Sequence, residues 1–133
     1  MTIIEVIKNK KQFLSLLLLA DEQENMIDRY LERGTMYVLN DNGVKAECVV
    51  TDECNGILEI KNIATVPEYQ GKGYAKALID FIVKEYADKY SVLQVGTGDS
   101  PLTVPFYEKC GFVRSHIIPV SYTHLRAHET PEH

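Results

Sequence analysis

The stretch from Ile57 to Tyr86 constrains the fold more than any other part of the chain. Ile57–Val66 is a long β-rich run that Pro67 stops. Gln70-Gly71-Lys72-Gly73 follows, and then a helix is predicted from Tyr74 to Tyr86. Ala77, Leu78, Phe81 and Ile82 line its apolar face, while Lys76, Asp80 and Lys84 lie on the other. Glycines at the start of a helix let backbone N–H groups converge on an anion with no Cβ in the way. The helix N-terminus adds partial positive charge. A phosphate or pyrophosphate is the natural guest, and a plain connecting turn is the alternative. Two known nucleotide motifs do not fit. No GxxxxGK[ST] string occurs, and the third glycine of a dinucleotide fingerprint is replaced by Lys76. Gly96-Thr97-Gly98 fails the same test, because position 101 is proline.

The remaining elements fall around this unit. Ile3–Ile7 reads as a first strand, and Asn9 as the N-cap of a helix over Lys10–Ala20 with Phe13, Leu16, Leu17 and Ala20 inward. Asp21 with Glu24 fits a capping box for a second helix carrying Met26, Ile27, Tyr30 and Leu31, stopped at Gly34. Thr35–Asn40 and Val44–Thr51 read as strands joined by a tight turn at Asp41-Asn42-Gly43. Asp52–Gly56 is a further turn. Ser91–Thr97 reads as a buried strand. Asp99 or Ser100 can cap a short helix that begins at Pro101, holds Phe106 and Tyr107, and ends at Gly111. Phe112–Ser115 opens a last strand. This order predicts an α+β (mixed α/β) fold around one central sheet.

Composition narrows the class of function. With 133 residues, 45% hydrophobic and 25% charged, the chain suits one globular domain. A net charge of −5 argues against a nucleic-acid binder. The longest apolar run, Leu16–Ala20, is far short of the roughly 20 residues of a membrane span, and no signal peptide is read, so no membrane partner is expected. Cys48, Cys54 and Cys110 form no CxxC pair. They read as reduced thiols in a cytoplasmic protein.

Two strings then coincide. Gln70-Gly71-Lys72-Gly73-Tyr74-Ala75 stands behind Ile63-Ala64-Thr65-Val66-Pro67-Glu68-Tyr69. Further on comes Phe106-Tyr107-Glu108-Lys109-Cys110-Gly111-Phe112. In this order, with a strand between, the sequence resembles the GCN5-related N-acetyltransferases (GNAT), whose signature is [Gln/Arg]-x-x-Gly-x-[Gly/Ala] followed by an aromatic pair and Gly-Phe. The resemblance covers Thr35–Ser115, and the two N-terminal helices also fit. It implies an acyl-CoA N-acyltransferase fold with a central, mostly antiparallel sheet flanked by helices. It also implies acetyl transfer from acetyl-CoA, as cosubstrate, to a primary amine of a small molecule or peptide by direct attack. The alternative is a non-catalytic acyl-CoA-binding or regulatory module. A monomer or homodimer is expected, with no metal.

Site residues carry over position by position. The resemblance assigns the cofactor to Ile63, Ala64, Thr65, Gln70, Gly71, Lys72, Gly73, Tyr74, Ala75, Lys76 and Ser100. Thr65 stands where the family usually has a hydrophobic residue, and Ser100 where it often has asparagine. In the family's lysine acetyltransferase branch a glutamate at the position of Glu59 is the base. Glu59 shares a strand face with Lys61, Ile63 and Thr65, and its other reading is a surface carboxylate, solvated or paired with Lys61. The resemblance makes Tyr107 the acid for the leaving thiolate. Its other reading is a core tyrosine. Cys110 reads as a structural thiol, because no histidine stands in a motif-like relation to it.

The C-terminus departs from the family. The family closes its sheet with two antiparallel strands after Gly-Phe, whereas here Ser121–His133 shows no period-2 alternation and resembles adapter-derived read-through. The expected division is therefore a domain over 1–120 and a non-native or unstructured tail over 121–133, with the closing strand missing or replaced. His124 and His128 have i, i+4 spacing, but without a third ligand they are not taken as a metal site.

Overall fold

The structure, a computed structural model, describes residues 1–96, 104–114 and 121–125. Seven strands hydrogen-bond in the order β1-β2-β3-β4-β5-β7-β6. They are β1 (Thr2–Val6), β2 (Thr35–Asn40), β3 (Val44–Asp52), β4 (Ile57–Thr65), β5 (Val92–Gly96), β6 (Val113–Arg114) and β7 (Ser121–Leu125). The helices are α1 (Leu14–Ala20), α2 (Glu24–Ile27), α3 (Tyr74–Tyr86) and α4 (Val104–Lys109). The mixed α+β class and the mostly antiparallel sheet agree with the sequence. β1–β2, β2–β3, β5–β7 and β6–β7 are antiparallel, and β4–β5 is parallel.

The chain divides into two units, Met1–Thr51 with Lys61–Ile79, and Asp52–Ile60 with Asp80–His133. In the first unit, β2 and β3 turn at Asn42 (φ 57°) and Gly43 (φ 105°), the left-handed pair that a tight hairpin needs. Leu17, Ile27, Tyr30, Leu31, Met36, Val38 and Val49 form a buried apolar cluster there. The helix expected over Lys10–Ala20 is divided into a 3-10 turn at Lys10–Phe13 and α1. Lys10 turns inward, and its Nζ donates to the carbonyls of Leu31 (2.9 Å) and Gly34 (2.8 Å). The second expected helix shrinks to α2, whose cap position is Gln23. Asp21 is drawn elsewhere, since its Oδ2 accepts the Tyr30 hydroxyl at 3.2 Å. Helix α3 covers the predicted range, with Leu78, Ile79 and Ile82 fully buried.

In the second unit, β5 pairs with β4 over Ile57↔Val92 to Ile60↔Val95. Phe112 is 2% exposed and anchors the segment after α4. Of the alternatives for this end of the chain, a closing strand missing or replaced and a tail non-native or unstructured, Ser121–Leu125 excludes only the missing strand and the lack of structure. Those residues form β7, which pairs with β5 from Val92↔Leu125 to Gly96↔Ser121, and with β6 at Val113↔Thr123 and Arg114↔Tyr122. A strand needs only backbone donors and acceptors in register, so a segment without period-2 patterning can still fill an open edge. Residues 126–133, His128 among them, lie outside the described residues, as do Asp99, Ser100 and Pro101.

Candidate active site

The glycine turn belongs to the first unit. Val66 donates its N–H to the carbonyl of Lys45 at 2.8 Å, and Pro67–Tyr69 forms a 3-10 turn. Gly71 (φ 81°) and Gly73 (φ 87°) then reverse the chain in the left-handed region. Side chains other than glycine rarely adopt that conformation. Among the described residues, no atom lies within 4 Å of where a Cβ would stand at either glycine. The result is an open cradle facing the start of α3. The Ala77 N–H makes an early helical bond, to the Gly73 carbonyl at 3.0 Å. The first N–H groups of a helix have no intrahelical acceptor, so Tyr74, Ala75 and Lys76 present donors and positive dipole charge at the cradle.

Two side-chain contacts brace this loop. The Tyr74 hydroxyl donates to Asp41 Oδ2 at 2.7 Å, and the Lys45 ammonium sits 4.0 Å from the centre of the Tyr69 ring. The Asp41 carboxylate holds the Tyr74 phenol above its ordinary pKa. Gln70 Nε2 reaches back to the Thr65 carbonyl at 3.5 Å, the outer limit of a hydrogen bond. Along β4 burial alternates strictly. Leu58, Ile60, Asn62 and Ala64 are buried, while Glu59, Lys61, Ile63 and Thr65 are half-buried. The parallel ladder to β5 stops at Ile60. Among the described residues, Ile63–Thr65 lie past the stretch of β4 that pairs with β5.

Glu59 and Tyr107 belong to the second unit. Glu59 stands opposite Gln94 in the register, and its Oε1 accepts the Gln94 amide at 2.7 Å. That bond fixes the carboxylate and leaves it half-buried. Tyr107 on α4 is 7% exposed and lies edge-on to Phe106 (5.2 Å) and Phe112 (5.6 Å). Its carbonyl accepts the N–H of Phe112 at 3.0 Å. Cys110 is buried and has no disulfide, as expected of a structural thiol.

Sequence reasoning missed several residues here. Gln94 had no signal, because its pairing with Glu59 follows from a parallel register between distant segments. Asp41 was read only as a turn residue. Glu47 had a signal that was not used, an acid inside the apolar run Ala46-Glu47-Cys48-Val49-Val50. Among the described residues, no helix is long and apolar enough to cross a membrane. Among the same residues, no three His, Cys, Asp or Glu side chains gather as a metal site.

Comparison with known proteins converges on one family. Residues 32–114 match the model of the acetyltransferase (GNAT) domain. An uncharacterized N-acetyltransferase of Bacillus subtilis, YvbK, is 35% identical over 104 residues, covering 76% of this chain and 67% of the relative. An IAA acetyltransferase from Bacillus cereus superposes with a TM-score of 0.81 at 30% identity, over 93% of this chain and 99% of that one. A GNAT family acetyltransferase from Elizabethkingia anophelis, with acetyl-CoA bound, superposes with a TM-score of 0.83 at 26% identity, over 93% of this chain and 97% of that one. The glycine cradle ahead of α3 and these likenesses lead to the same conclusion, that the chain belongs to the GNAT family of acetyltransferases.

Proposed function

We propose that this protein transfers an acetyl group from acetyl-CoA to a primary amine of a small molecule or peptide, by direct attack of the amine on the thioester. The observation that carries the reading is the open glycine cradle at the N-terminus of α3. Backbone N–H groups from Gly71 to Ala75 hold the pyrophosphate, with Lys72 and Lys76 adding positive charge. Gln70 and Tyr74 fix the shape of the loop through the contacts at Thr65 and Asp41. Ile63, Ala64 and Thr65 offer their strand edge to the pantetheine arm, as an added strand would use it. The acetyl-CoA held by the Elizabethkingia relative supports this cosubstrate. Ser100 keeps its proposed cofactor role from sequence alone.

Glu59 acts as the base in this reading. An ammonium of pKa about 10 is mostly protonated at neutral pH and must lose a proton before its nitrogen can attack. Glu59, oriented by Gln94, takes that proton directly or through a water. The amine then adds to the carbonyl, and the tetrahedral oxyanion collapses with release of the CoA thiolate. Tyr107 donates a proton to the departing sulfur.

The test is a panel of amines incubated with acetyl-CoA, read as release of free CoA thiol. Turnover with at least one amine is expected. Tight acetyl-CoA binding with no turnover on any amine would favour the non-catalytic acyl-CoA-binding module.

A further inference from the structure

The exposed part of the glycine loop is short, and both of its ends are tied to one place. Gln70, Gly71, Lys72 and Gly73 are exposed, whereas Tyr69 before them and Tyr74 after them are half-buried. Each tyrosine meets the turn between β2 and β3. On the entry side the Lys45 ammonium lies 4.0 Å from the centre of the Tyr69 ring. On the exit side the Tyr74 hydroxyl donates to Asp41 Oδ2 at 2.7 Å. Asp41, Lys45, Tyr69 and Tyr74 all belong to the first unit.

The sheet explains how a turn 33 residues before Tyr74 comes to stand beside it. Strand β3 lies next to β4, and the Lys45 carbonyl accepts the Val66 N–H at 2.8 Å. That bond sets the start of β3 against the end of β4, where Pro67 breaks the strand. The turn is itself fixed from within. The Gly43 N–H donates to Asn40 Oδ1 at 3.1 Å, and the Asp41 N–H to the Gly43 carbonyl at 2.9 Å. The Lys45 ammonium donates to the Asn42 carbonyl at 3.0 Å, and the residue is buried.

Between the two ties stand Gly71 and Gly73, both at positive φ. Glycine has the widest backbone freedom, so a loop hinged on two of them does not keep one shape by itself. Donors bind an anion best when their directions are set beforehand. Fixing the residue on each side narrows what the glycines can do. Asp41 is the more telling tie, because its charge works against the guest. A carboxylate beside a pyrophosphate cradle weakens anion binding by charge alone. Its hydrogen bond to Tyr74 is the contribution that opposes this, and it also keeps the phenol protonated through the neutral range.

We infer that Asp41 and Lys45, at the β2–β3 turn, are positioning residues that hold the glycine cradle in its acetyl-CoA-binding shape through Tyr74 and Tyr69. This role rests on the acetyl-CoA reading of the cradle, and it is measured by binding, with no acceptor needed.

The experiment is calorimetric titration of the full chain with acetyl-CoA. Tyr74→Phe removes only the hydroxyl and should weaken binding about fivefold, the factor that one hydrogen bond ordinarily supplies. Asp41→Ala should weaken it by a similar factor, and the double variant by no more than either alone, because both delete one bond. Asp41→Asn keeps an acceptor oxygen and should return affinity to within about twofold of the parent. On the entry side Tyr69→Leu should weaken binding about threefold, whereas Tyr69→Phe keeps the ring face beside Lys45 and should not. With any amine that is acetylated, Asp41→Ala should raise KM for acetyl-CoA at the parent's kcat, a split that general loosening of the fold would not give. Tyr74→Phe carries the test should Asp41→Ala, in a tight turn, fail to fold. Parent affinity in Tyr74→Phe, or tighter binding in Asp41→Ala, would overturn the brace and leave Asp41 a repelling surface charge. If the parent binds acetyl-CoA but acetylates nothing, the transfer reading fails while the brace stands or falls on the titrations. A parent that binds no acetyl-CoA would overturn both.

Discussion

The two units treat their polar groups in opposite ways. In Met1–Thr51 with Lys61–Ile79, the decisive groups are left open. The glycine cradle has nothing within 4 Å of either missing Cβ, and the Glu47 carboxyl has no partner among the described residues. In Asp52–Ile60 with Asp80–His133, they are engaged. Glu59 is held by Gln94 at 2.7 Å, and Tyr107 is packed edge-on between two phenylalanine rings. Two glutamates in one chain thus differ in kind. The loss of an open group should be read in affinity or stability. Under the acetyl-transfer proposal, the loss of a group held in place should be read in turnover.

The sharpest break of that contrast is Glu59→Gln. It keeps the size of the side chain and removes the proposed base, so turnover should fall roughly 10²–10⁴-fold with acetyl-CoA affinity little changed. The deficit should shrink at high pH, where more of the amine is already neutral. A pH–rate profile identical to the parent's would take Glu59 out of the mechanism. Gly73→Val should act in the other unit and on the other quantity. A β-branched residue at φ 87° is strained by about 1–2 kcal/mol, and lost N–H contacts to phosphate add roughly as much again. Acetyl-CoA affinity should drop on the order of a hundredfold while the fold survives. Calorimetry giving the parent's affinity would remove the pyrophosphate from this loop.

Tyr107→Phe should cost less. A CoA thiol has a pKa near that of cysteine, about 8.5, so its thiolate departs tolerably without help. A fall of about tenfold in turnover is expected, with the melting temperature barely moved because both ring contacts remain. The parent rate in that variant would make Tyr107 a packing residue.

The smallest effect should be Glu47→Leu, and it is a gain. Removing an unpaired buried acid for an apolar side chain should stabilise the fold by ~1 kcal/mol, a few degrees in melting temperature. The pH dependence has a definite sign. Burial lifts the folded carboxyl well above its ordinary 4.5, so the folded chain keeps a proton that the unfolded chain has released. That contribution is complete below about pH 4.5 and is lost as pH rises toward the folded value. Melting curves of the parent should therefore decline over that window more steeply than those of Glu47→Leu. Parallel curves would mean that Glu47 is paired in solution.

The elements legible in the sequence were those with local causes. The run Ile57–Val66, the stop at Pro67 and the helix from Tyr74 to Tyr86 follow from β-branched content, a missing N–H and 3.6-residue periodicity, and they stand almost to the residue. The glycine cradle was legible for the same reason, since positive φ at Gly71 and Gly73 is a demand of the backbone at that point. Tertiary structure decided what depends on distant partners. Lys10 breaks the first helix because two carbonyls of a later segment need its ammonium, and Asp21 leaves its capping role for the Tyr30 hydroxyl. Ser121–Leu125 becomes a strand because β5 and β6 offer it backbone groups in register. Gln94 meets Glu59 only through the parallel ladder. Glu47 stands in an apolar run of the sequence, but only packing makes it a fully buried acid, because desolvation is set by what surrounds a side chain in space.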